Sequence, residues 1–245
     1  MTSRDTTSPL PRRSGTQTHI SLAQRLTPFF WFPIQWPWLL RSLSGGSPMR
    51  KAALLRELDL CDDALPNLGS WKADIGYLEL IVATIRELRP MHVVELGAGA
   101  STLVAGRALA LNGGGTLHSC DQHGEFVDAT SRWLEEHGVA VDLRAAPLVP
   151  APDGWPGQWY DHGALPDRID LLLIDGPPWT VHPLVRGAAA SLFDRIPVGG
   201  MVLLDDGARP GERMVAHKWR KAWPGFRFDL VKPGTKGTLI GRRIR

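Results

Sequence analysis

Cysteine is scarce in this chain, which has only two, Cys61 and Cys120, among its 245 residues. Two cysteines cannot build the disulfide framework of a small secreted fold, and their separation does not match the spacing of metal-ligand pairs. The sequence therefore favours a reducing compartment, the cytoplasm, where the protein is either free or associated with a membrane.

Excess charge is also small, since 28 Lys and Arg residues face 25 Asp and Glu residues and leave a net charge of +3. The charges are scattered along the chain, so we do not expect nucleic acid as a partner. The remaining composition, 43% hydrophobic and 22% charged, is typical of a folded protein. One α/β domain with an additional arm fits this length better than two domains.

No apolar run is long enough to span a membrane. The most apolar segment, residues 26–40, is shorter than the roughly 20 apolar residues of a spanning helix, and we expect its three prolines to interrupt a helix. It also lacks the small-residue cleavage site of a signal peptide. Two interpretations remain. The aromatic side chains pack on the domain or across a homodimer, or they make a peripheral membrane contact with help from Arg25 and Arg41.

The arm and the domain meet at a flexible joint, Ser44-Gly-Gly-Ser-Pro48. We assign residues 1–47 to the arm, whose first 25 or so residues are polar and are expected to be disordered. We assign residues 48–245 to the domain. From Trp71 onward its sequence alternates between helical and strand patterns.

Hydrophobic periodicity predicts this alternation in detail. The predicted helices cover 75–88, 100–111, 125–137, 184–196 and 210–222, and the predicted strands cover 92–96, 117–120, 139–143, 169–174 and 200–204, followed by a hairpin of 226–230 and 237–240. Residues 145–168, rich in Pro, Gly and Trp, are predicted to form a long irregular connection of functional importance. The pattern predicts a doubly wound α/β sheet with helices on both faces and an antiparallel edge.

A glycine-rich segment, Val93-Val-Glu-Leu-Gly-Ala-Gly-Ala-Ser-Thr102, lies where the first strand becomes a helix. Two closely spaced glycines are weak evidence by themselves, because a tight turn that serves only the fold has the same pattern. In an open α/β sheet, however, ligands bind beyond the carboxyl ends of the strands. Asp121, which is 22 positions after Gly99, ends the next strand, where a carboxylate can accept both hydroxyls of a ribose. The segment therefore predicts a nucleoside-containing cofactor.

The residues around the glycines discriminate between cofactors. A dinucleotide site needs a third glycine and a helix terminus that faces pyrophosphate, but Ser101 and Thr102 crowd that position. A buried Glu95 repels pyrophosphate and suits a cationic amino acid. S-adenosylmethionine meets these demands because it has a ribose, an ammonium group and a sulfonium but no phosphate.

In combination, Glu95–Ser101, Asp121, the strand that ends at Asp175 and the terminal hairpin resemble the class I S-adenosylmethionine-dependent methyltransferases. The resemblance covers about residues 71–241. It implies a Rossmann-like sheet of seven strands in the order 3-2-1-4-5-7-6, with strand 7 antiparallel. It also implies a cofactor site lined by Glu95, Gly97, Gly99 and Asp121, to which we add Ser101 of the same turn.

Three aspartates end the fourth and fifth predicted strands, Asp175 on one and Asp205 and Asp206 on the other. Neighbouring strands lie about 4.8 Å apart, so these carboxylates are expected in one crevice, where they require a cation or a raised pKa. The arrangement is similar to that of metal-dependent O-methyltransferases of the catechol and sugar types, which implies that the three aspartates bind a metal, magnesium in preference to calcium. Gly207 follows the Asp pair, whereas the sugar enzymes usually have Tyr there and the catechol enzymes have Asn after a single Asp. The alternative is that one or more of the aspartates only cap loops or bind backbone amides.

The chemistry implied is methyl transfer from S-adenosylmethionine to a hydroxyl of a small molecule, either a sugar, a glycan or a phenol. Asp175 is the predicted catalytic residue, and His182 is the candidate base if no metal is present. Alternatives are transfer to nitrogen, aminopropyl transfer, an NAD-dependent oxidoreductase and a non-catalytic cofactor-binding module. Loop tryptophans either hold the acceptor or pack, and Arg209 either pairs with Glu212 or faces the substrate.

Overall fold

A computed structural model describes residues 22–65, 67–70 and 72–245. Most of the polar tail, residues 1–21, and Trp71 lie outside these ranges. The described part has six α-helices: α1 Leu22–Ser42, α2 Pro48–Glu57, α3 Ile75–Leu88, α4 Ala100–Leu111, α5 Gly124–Glu136 and α6 Pro210–Ala222. It also has a 3₁₀ helix, Val185–Arg195, and nine strands: β1 His92–Leu96, β2 Thr116–Asp121, β3 Asp142–Ala145, β4 Leu148–Pro150, β5 Gln158–Tyr160, β6 Leu171–Ile174, β7 Met201–Leu204, β8 Phe226–Val231 and β9 Thr238–Arg243.

Seven of these strands form one sheet in the order β3-β2-β1-β6-β7-β9-β8. β9 is antiparallel to both of its neighbours, whereas the other pairs are parallel. This confirms the predicted Rossmann-like order, including its antiparallel strand. The order reverses between β1 and β6, so a crevice opens beyond their carboxyl ends. Leu96 pairs with Ile174 there, which sets the glycine turn beside Asp175.

Two hydrophobic cores cover the two faces of the sheet, because successive strand residues point to opposite sides. Val93 packs in the core beneath α3 and α4, whereas Val94 packs in the core beneath the 3₁₀ helix and α6. In the second core, the Phe193 ring meets the Trp219 ring edge-on at 4.9 Å. Both cores hold the strand ends rigidly, which fixes the positions of the residues that follow them.

Residues 139–168 depart from the prediction in two places. Val139 is buried against Gly106 of α4 before the strand begins at Asp142, three residues later than predicted. Within the connection predicted to be irregular, β4 and β5 form a short antiparallel hairpin. Its strands of three residues are too short to show an alternating pattern, and burial of Trp159 holds the hairpin to the second core.

Helix α1 corrects another expectation. It runs unbroken through Pro28, Pro33 and Pro37, so the prediction that these prolines would interrupt a helix was wrong. Each proline removes one backbone donor, but the residues between them keep theirs, and the spacing of four or five residues leaves donors in every turn. None of the described helices is long and apolar enough to cross a membrane.

Helix α1 also lies against the domain. The Gln35 side chain is fully buried and reaches Gly211 at the start of α6. The Phe32 ring lies 6.3 Å from the Trp179 ring in the loop after β6. The division of the chain at residues 47 and 48 stays a prediction, but the arm is packed close to the carboxyl ends of β6 and β7.

Candidate functional site

The turn between β1 and α4 depends on glycine. Gly97 has φ +100°, and a Cβ there would lie 2.5 Å from the amide nitrogen of Gly176, so both its conformation and its surroundings exclude a side chain. A Cβ on Gly99 would instead meet none of the described atoms within 4 Å. The turn therefore packs tightly against the end of β6 on one side and borders open space at Gly99.

Glu95 lies beneath this turn and is fully buried. Its Oε2 accepts hydrogen bonds from the hydroxyls of Thr102 and Ser119, each at 2.6 Å. Burial raises the pKa of Glu95 to about 7, although the hydroxyls of Ser101, Ser119 and Thr102 act in the opposite direction. Its Oε1 has no hydrogen-bond partner within the described residues. Near neutral pH, a cation bound beside this carboxyl group would therefore favour its ionised form.

Asp121 ends β2 on the other side of the turn and is almost completely buried. Its Oδ1 accepts a hydrogen bond from the backbone amide of His123 at 3.0 Å, which orients the carboxylate. The preceding residue, Cys120, is also buried, and burial raises the pKa of its thiol. The thiol is therefore protonated and acts as a packing residue, not as a nucleophile.

The three aspartates predicted to cluster do so. Asp175, Asp205 and Asp206 each offer a carboxylate oxygen, and these oxygens lie within 4.8 Å of one another. The pairing of Ile174 with Leu204 brings the ends of β6 and β7 to the same level. Asp206 has φ +58°, a left-handed backbone conformation.

Three buried cations surround this carboxylate cluster, and of these the sequence pointed only to Arg209. Arg186 of the 3₁₀ helix donates to Asp206 Oδ2 at 3.1 Å and lies 3.4 Å from Asp175 Oδ1. Arg209 Nη2 lies 3.1 Å from Asp206 Oδ2. Lys236 Nζ lies 3.8 Å from Asp205 Oδ2 and 3.7 Å from Asp206 Oδ1. The carboxylates were expected to require a cation or a raised pKa, and the chain itself supplies much of the positive charge.

The two adjacent aspartates differ in their electrostatics. Burial acts to raise the pKa of Asp206, but Arg209, Lys236 and Arg186 outweigh it and hold the pKa well below its usual range. Burial and the neighbouring Asp206 raise the pKa of Asp205 well above its usual range. Neither oxygen of Asp205 has a hydrogen-bond partner within the described part of the chain. A buried carboxyl group in that state fits a site that accepts a further cation.

Arg209 and Glu212 form a buried two-point ion pair at the start of α6. Arg209 Nε lies 3.1 Å from Glu212 Oε2, and its Nη2 lies 2.5 Å from Oε1. Burial raises the pKa of Glu212, and Arg209 lowers it. Of the two roles considered for Arg209, the structure shows the ion pair. Since the same guanidinium contacts Asp206, it also ties α6 to the carboxylate cluster.

His182 lies in the loop between β6 and the 3₁₀ helix and is mostly buried. Its Nδ1 accepts a hydrogen bond from the Leu184 amide at 3.1 Å, so the neutral ring carries its proton on Nε2. Burial lowers the pKa of His182, which keeps the ring neutral. These contacts shape the loop, and the catalytic role of His182 stays a prediction.

The loop tryptophans serve mainly for packing. Trp159 and Trp179 are buried, and Trp155 is half-buried against Gly187 with the Lys218 ammonium 5.5 Å from its ring centre. Among them, Trp179 lies nearest to the arm, where it contacts Phe32.

Comparison with known proteins identifies the fold. A family model described as a methyltransferase domain matches residues 94–207. No curated protein matches the chain. Among solved structures, the chain is similar to the methyltransferase PaMTH1 of Podospora anserina bound to S-adenosylhomocysteine, with 12% identity and a TM-score of 0.55 over 96% of this chain and 100% of that one.

Two further solved structures are O-methyltransferases. One is a Bacillus cereus enzyme in complex with S-adenosylhomocysteine, with 12% identity and a TM-score of 0.54 over 81% of this chain and 92% of that one. The other is TomG of Streptomyces achromogenes, involved in tomaymycin synthesis and in complex with S-adenosylmethionine, with 17% identity and a TM-score of 0.50 over 81% and 89%. At these identities the likeness shows the fold. The strand order and the match of residues 94–207 to a methyltransferase domain agree with the resemblance to class I methyltransferases indicated by the sequence.

Proposed function

We propose that the chain transfers the methyl group of S-adenosylmethionine to a hydroxyl of a small molecule, either a sugar, a glycan or a phenol. The observation that carries the proposal is the buried Glu95, which leaves one oxygen unpaired within the described residues beside the glycine turn. A carboxylate there suits the ammonium of the cofactor and opposes a pyrophosphate. Two similar structures are of O-methyltransferases, which supports oxygen as the acceptor atom.

In this proposal the cofactor occupies the open space beside Gly99. Glu95 and Ser101 face its amino acid end, and Gly97 lets the turn approach the end of β6. The Asp121 carboxylate, which is oriented by a hydrogen bond from the His123 amide, accepts hydrogen bonds from the two ribose hydroxyls. An NAD-dependent oxidoreductase is the disfavoured alternative, since its pyrophosphate would lie against Glu95.

The reaction is an in-line displacement in which the bond between carbon and sulfur breaks as the bond between carbon and oxygen forms. Holding the acceptor hydroxyl in line with the methyl group can contribute about 7–11 kcal/mol of the barrier. Asp175 is the most accessible of the three aspartates, with 17% of its side chain exposed, and it is steadied by Arg186. We assign Asp175 to orient the hydroxyl and to accept its proton, and we keep His182 as the second candidate base.

Asp175, Asp205 and Asp206 would hold a divalent cation, and magnesium suits their hard oxygens. The Asp205 carboxyl group has no hydrogen-bond partner within the described residues and only a 3.8 Å contact with Lys236, which supports this assignment. A bound cation would lower the pKa of the acceptor hydroxyl. The competing proposal is that Arg186, Arg209 and Lys236 already supply the positive charge that the carboxylates require. A non-catalytic binding module is less consistent with the cluster, because such a module has no use for a buried carboxyl group that lacks a hydrogen-bond partner within the described residues.

The proposal is tested by incubating the protein with S-adenosylmethionine labelled in its methyl group and a panel of sugars and phenols. Label is expected in an oxygen-linked methyl group of one acceptor class, with faster transfer in magnesium than in chelator. Asp175→Asn should lose most of this activity, whereas Asp167→Asn, exposed on the loop before β6, should keep it. Label on nitrogen would refute the acceptor assignment, and equal rates in chelator would refute the metal.

A further inference from the structure

Helix α1 turns an apolar face away from the protein. Phe29, Phe30, Ile34 and Leu40 are each half to three-quarters exposed. At 100° per residue, these side chains and the exposed Phe32, Pro33, Trp36 and Pro37 cover roughly half of the helix circumference. The outer face of a helix on a soluble domain is normally polar. The outer face of α1 is apolar, which is unfavourable for a domain surrounded by water.

Two polar residues of α1 lie on its buried side. Gln35 is fully buried, and neither its amide oxygen nor its amide nitrogen has a hydrogen-bond partner within the described residues. Ser42 is also buried, and its carbonyl accepts a hydrogen bond from the Ser70 amide at 2.5 Å. A helix that buries its polar side chains while it exposes its aromatic ones is stabilised by an apolar environment outside the domain.

By composition, residues 1–21 are poorly suited to cover this face. The 21 residues that precede α1 contain only Met1, Leu10 and Ile20 as large apolar residues. A second copy is also a poor occupant, because the 21 residues of α1 form a strip about 30 Å by 10 Å. Stable dimers bury roughly 800 Å² on each partner, which is more than this strip provides.

The charges around α1 indicate the occupant. Along the sequence, residues 6–56 contain seven basic residues and no acidic residue, and of the seven Arg50 is paired with Glu79 of α3. Arg41 is exposed at the end of α1, and its guanidinium lies 5.6 Å from the centre of the Trp38 ring. Exposed Phe and Trp side chains beside Lys and Arg are the features of a helix that lies in the plane of an anionic membrane surface.

We propose that α1 docks the protein on an anionic lipid surface, with its axis parallel to the membrane. Phe29, Phe30 and Ile34 would enter the interface, and Arg41 would meet the lipid head groups. The inner side of α1 contacts Trp179 and Gly211, which belong to the loop after β6 and the start of α6. A docked helix therefore holds the carboxyl edge of the sheet, with its carboxylate cluster, close to the lipid.

The test is co-sedimentation of the full chain with vesicles of phosphatidylcholine alone and of phosphatidylcholine mixed with phosphatidylglycerol. The variant replaces Phe29, Phe30 and Ile34 with Gln. The matched control replaces three exposed apolar residues at the opposite edge of the sheet, Met91, Val198 and Ile244, with Gln. Thermal denaturation checks that both variants are folded, and sedimentation velocity gives the oligomeric state of each.

We expect the unmodified protein and the control to bind the anionic vesicles, and added salt to weaken that binding. We expect the α1 variant to bind at least about tenfold more weakly, because it loses the three most exposed large apolar side chains of the face. Failure of the unmodified protein to bind, equal binding to neutral vesicles, or equal binding by the α1 variant would overturn the proposal. A dimer that the α1 variant converts to a monomer, without vesicle binding, would assign the face to a second copy instead.

Discussion

Replacement of Arg186 by Met tests whether the chain's own cations hold the carboxylate cluster together. The guanidinium of Arg186 is buried and donates to the backbone carbonyls of Asp175, Pro177 and Asp205 as well as to the Asp206 carboxylate. Methionine has a similar length but no charge and no donor. The variant therefore leaves a buried carboxylate short of a partner and leaves three carbonyls without their donor.

The magnitude follows from the burial of this pair. Removal of one partner of a buried ion pair costs about 3–5 kcal/mol, because the remaining charge stays buried. In a chain of this size, such a loss lowers the melting temperature by roughly 6–20 °C. We expect Arg186→Lys to recover part of the loss, since lysine restores the charge but cannot reach all the carbonyls. The free energy of unfolding is measured by urea denaturation.

The matched control is Arg168→Met. Arg168 also pairs with an aspartate, Asp170, at 2.8 Å, but 64% of its side chain is exposed. Exposed pairs contribute about 1 kcal/mol or less, and Asp170 keeps its hydrogen bonds from the Met91 and His92 amides. If Arg186→Met loses no more stability than Arg168→Met, the cluster is not organised by Arg186 and the electrostatic account of the site is wrong.

Three further predictions concern the cofactor and the metal. Because burial and the neighbouring Asp206 raise the pKa of Asp205, folding disfavours its charged form near neutral pH, and the uncharged Asp205→Asn should raise the free energy of unfolding in chelator by about 1–3 kcal/mol. Magnesium should then raise the melting temperature of the unmodified protein but not of this variant, and an equal response of both would exclude Asp205 as a ligand. The pKa of Glu95 rises from 4.5 to about 7 on folding, so the folded state binds more protons than the unfolded state between these values, and stability falls as the pH increases. The loss is about 3 kcal/mol between pH 4.5 and 7, and Glu95→Gln should abolish it in urea denaturation at both pH values; an unchanged slope would show that another group titrates. Asp121→Ala should weaken S-adenosylmethionine binding about tenfold or more in calorimetry through loss of the ribose hydrogen bonds, while Asp128→Ala, exposed on α5, should bind normally.

The sheet order and several element bounds could be predicted from the sequence, because each has a local signal. α4 and α6 begin and end at the predicted residues: glycines precede α4, and Pro210 stands at the first position of α6. The carboxylate cluster could also be placed, since parallel strands bring their ends to the same edge of the sheet. The positions of Asp175 and Asp205 could be predicted from the strands that they follow.

The cations of the site could not be placed from local signals. Lys236 lies in the turn between β8 and β9, where a lysine is ordinarily solvated, and only the packing of that turn on α3 and the cluster buries it. Arg186 did leave a signal, because it interrupts a run of small and apolar residues from Val185 to Ala190. A permanent charge in such a run requires a buried partner, and three aspartates were available.

The prediction for the arm was wrong for a different reason. Its three prolines disfavour a helix locally, but the contacts of Gln35 and Phe32 with the domain hold α1 in place. Tertiary packing thus outweighed a local preference that is correct on average.

The most direct measurement is a calorimetric titration of the purified protein with S-adenosylmethionine and, separately, with NAD. We expect saturable binding of S-adenosylmethionine at one site, binding that is weaker by about tenfold or more in Asp121→Ala, and no binding of NAD. Binding of NAD without binding of S-adenosylmethionine would contradict the role assigned to Glu95 and, with it, the proposed function.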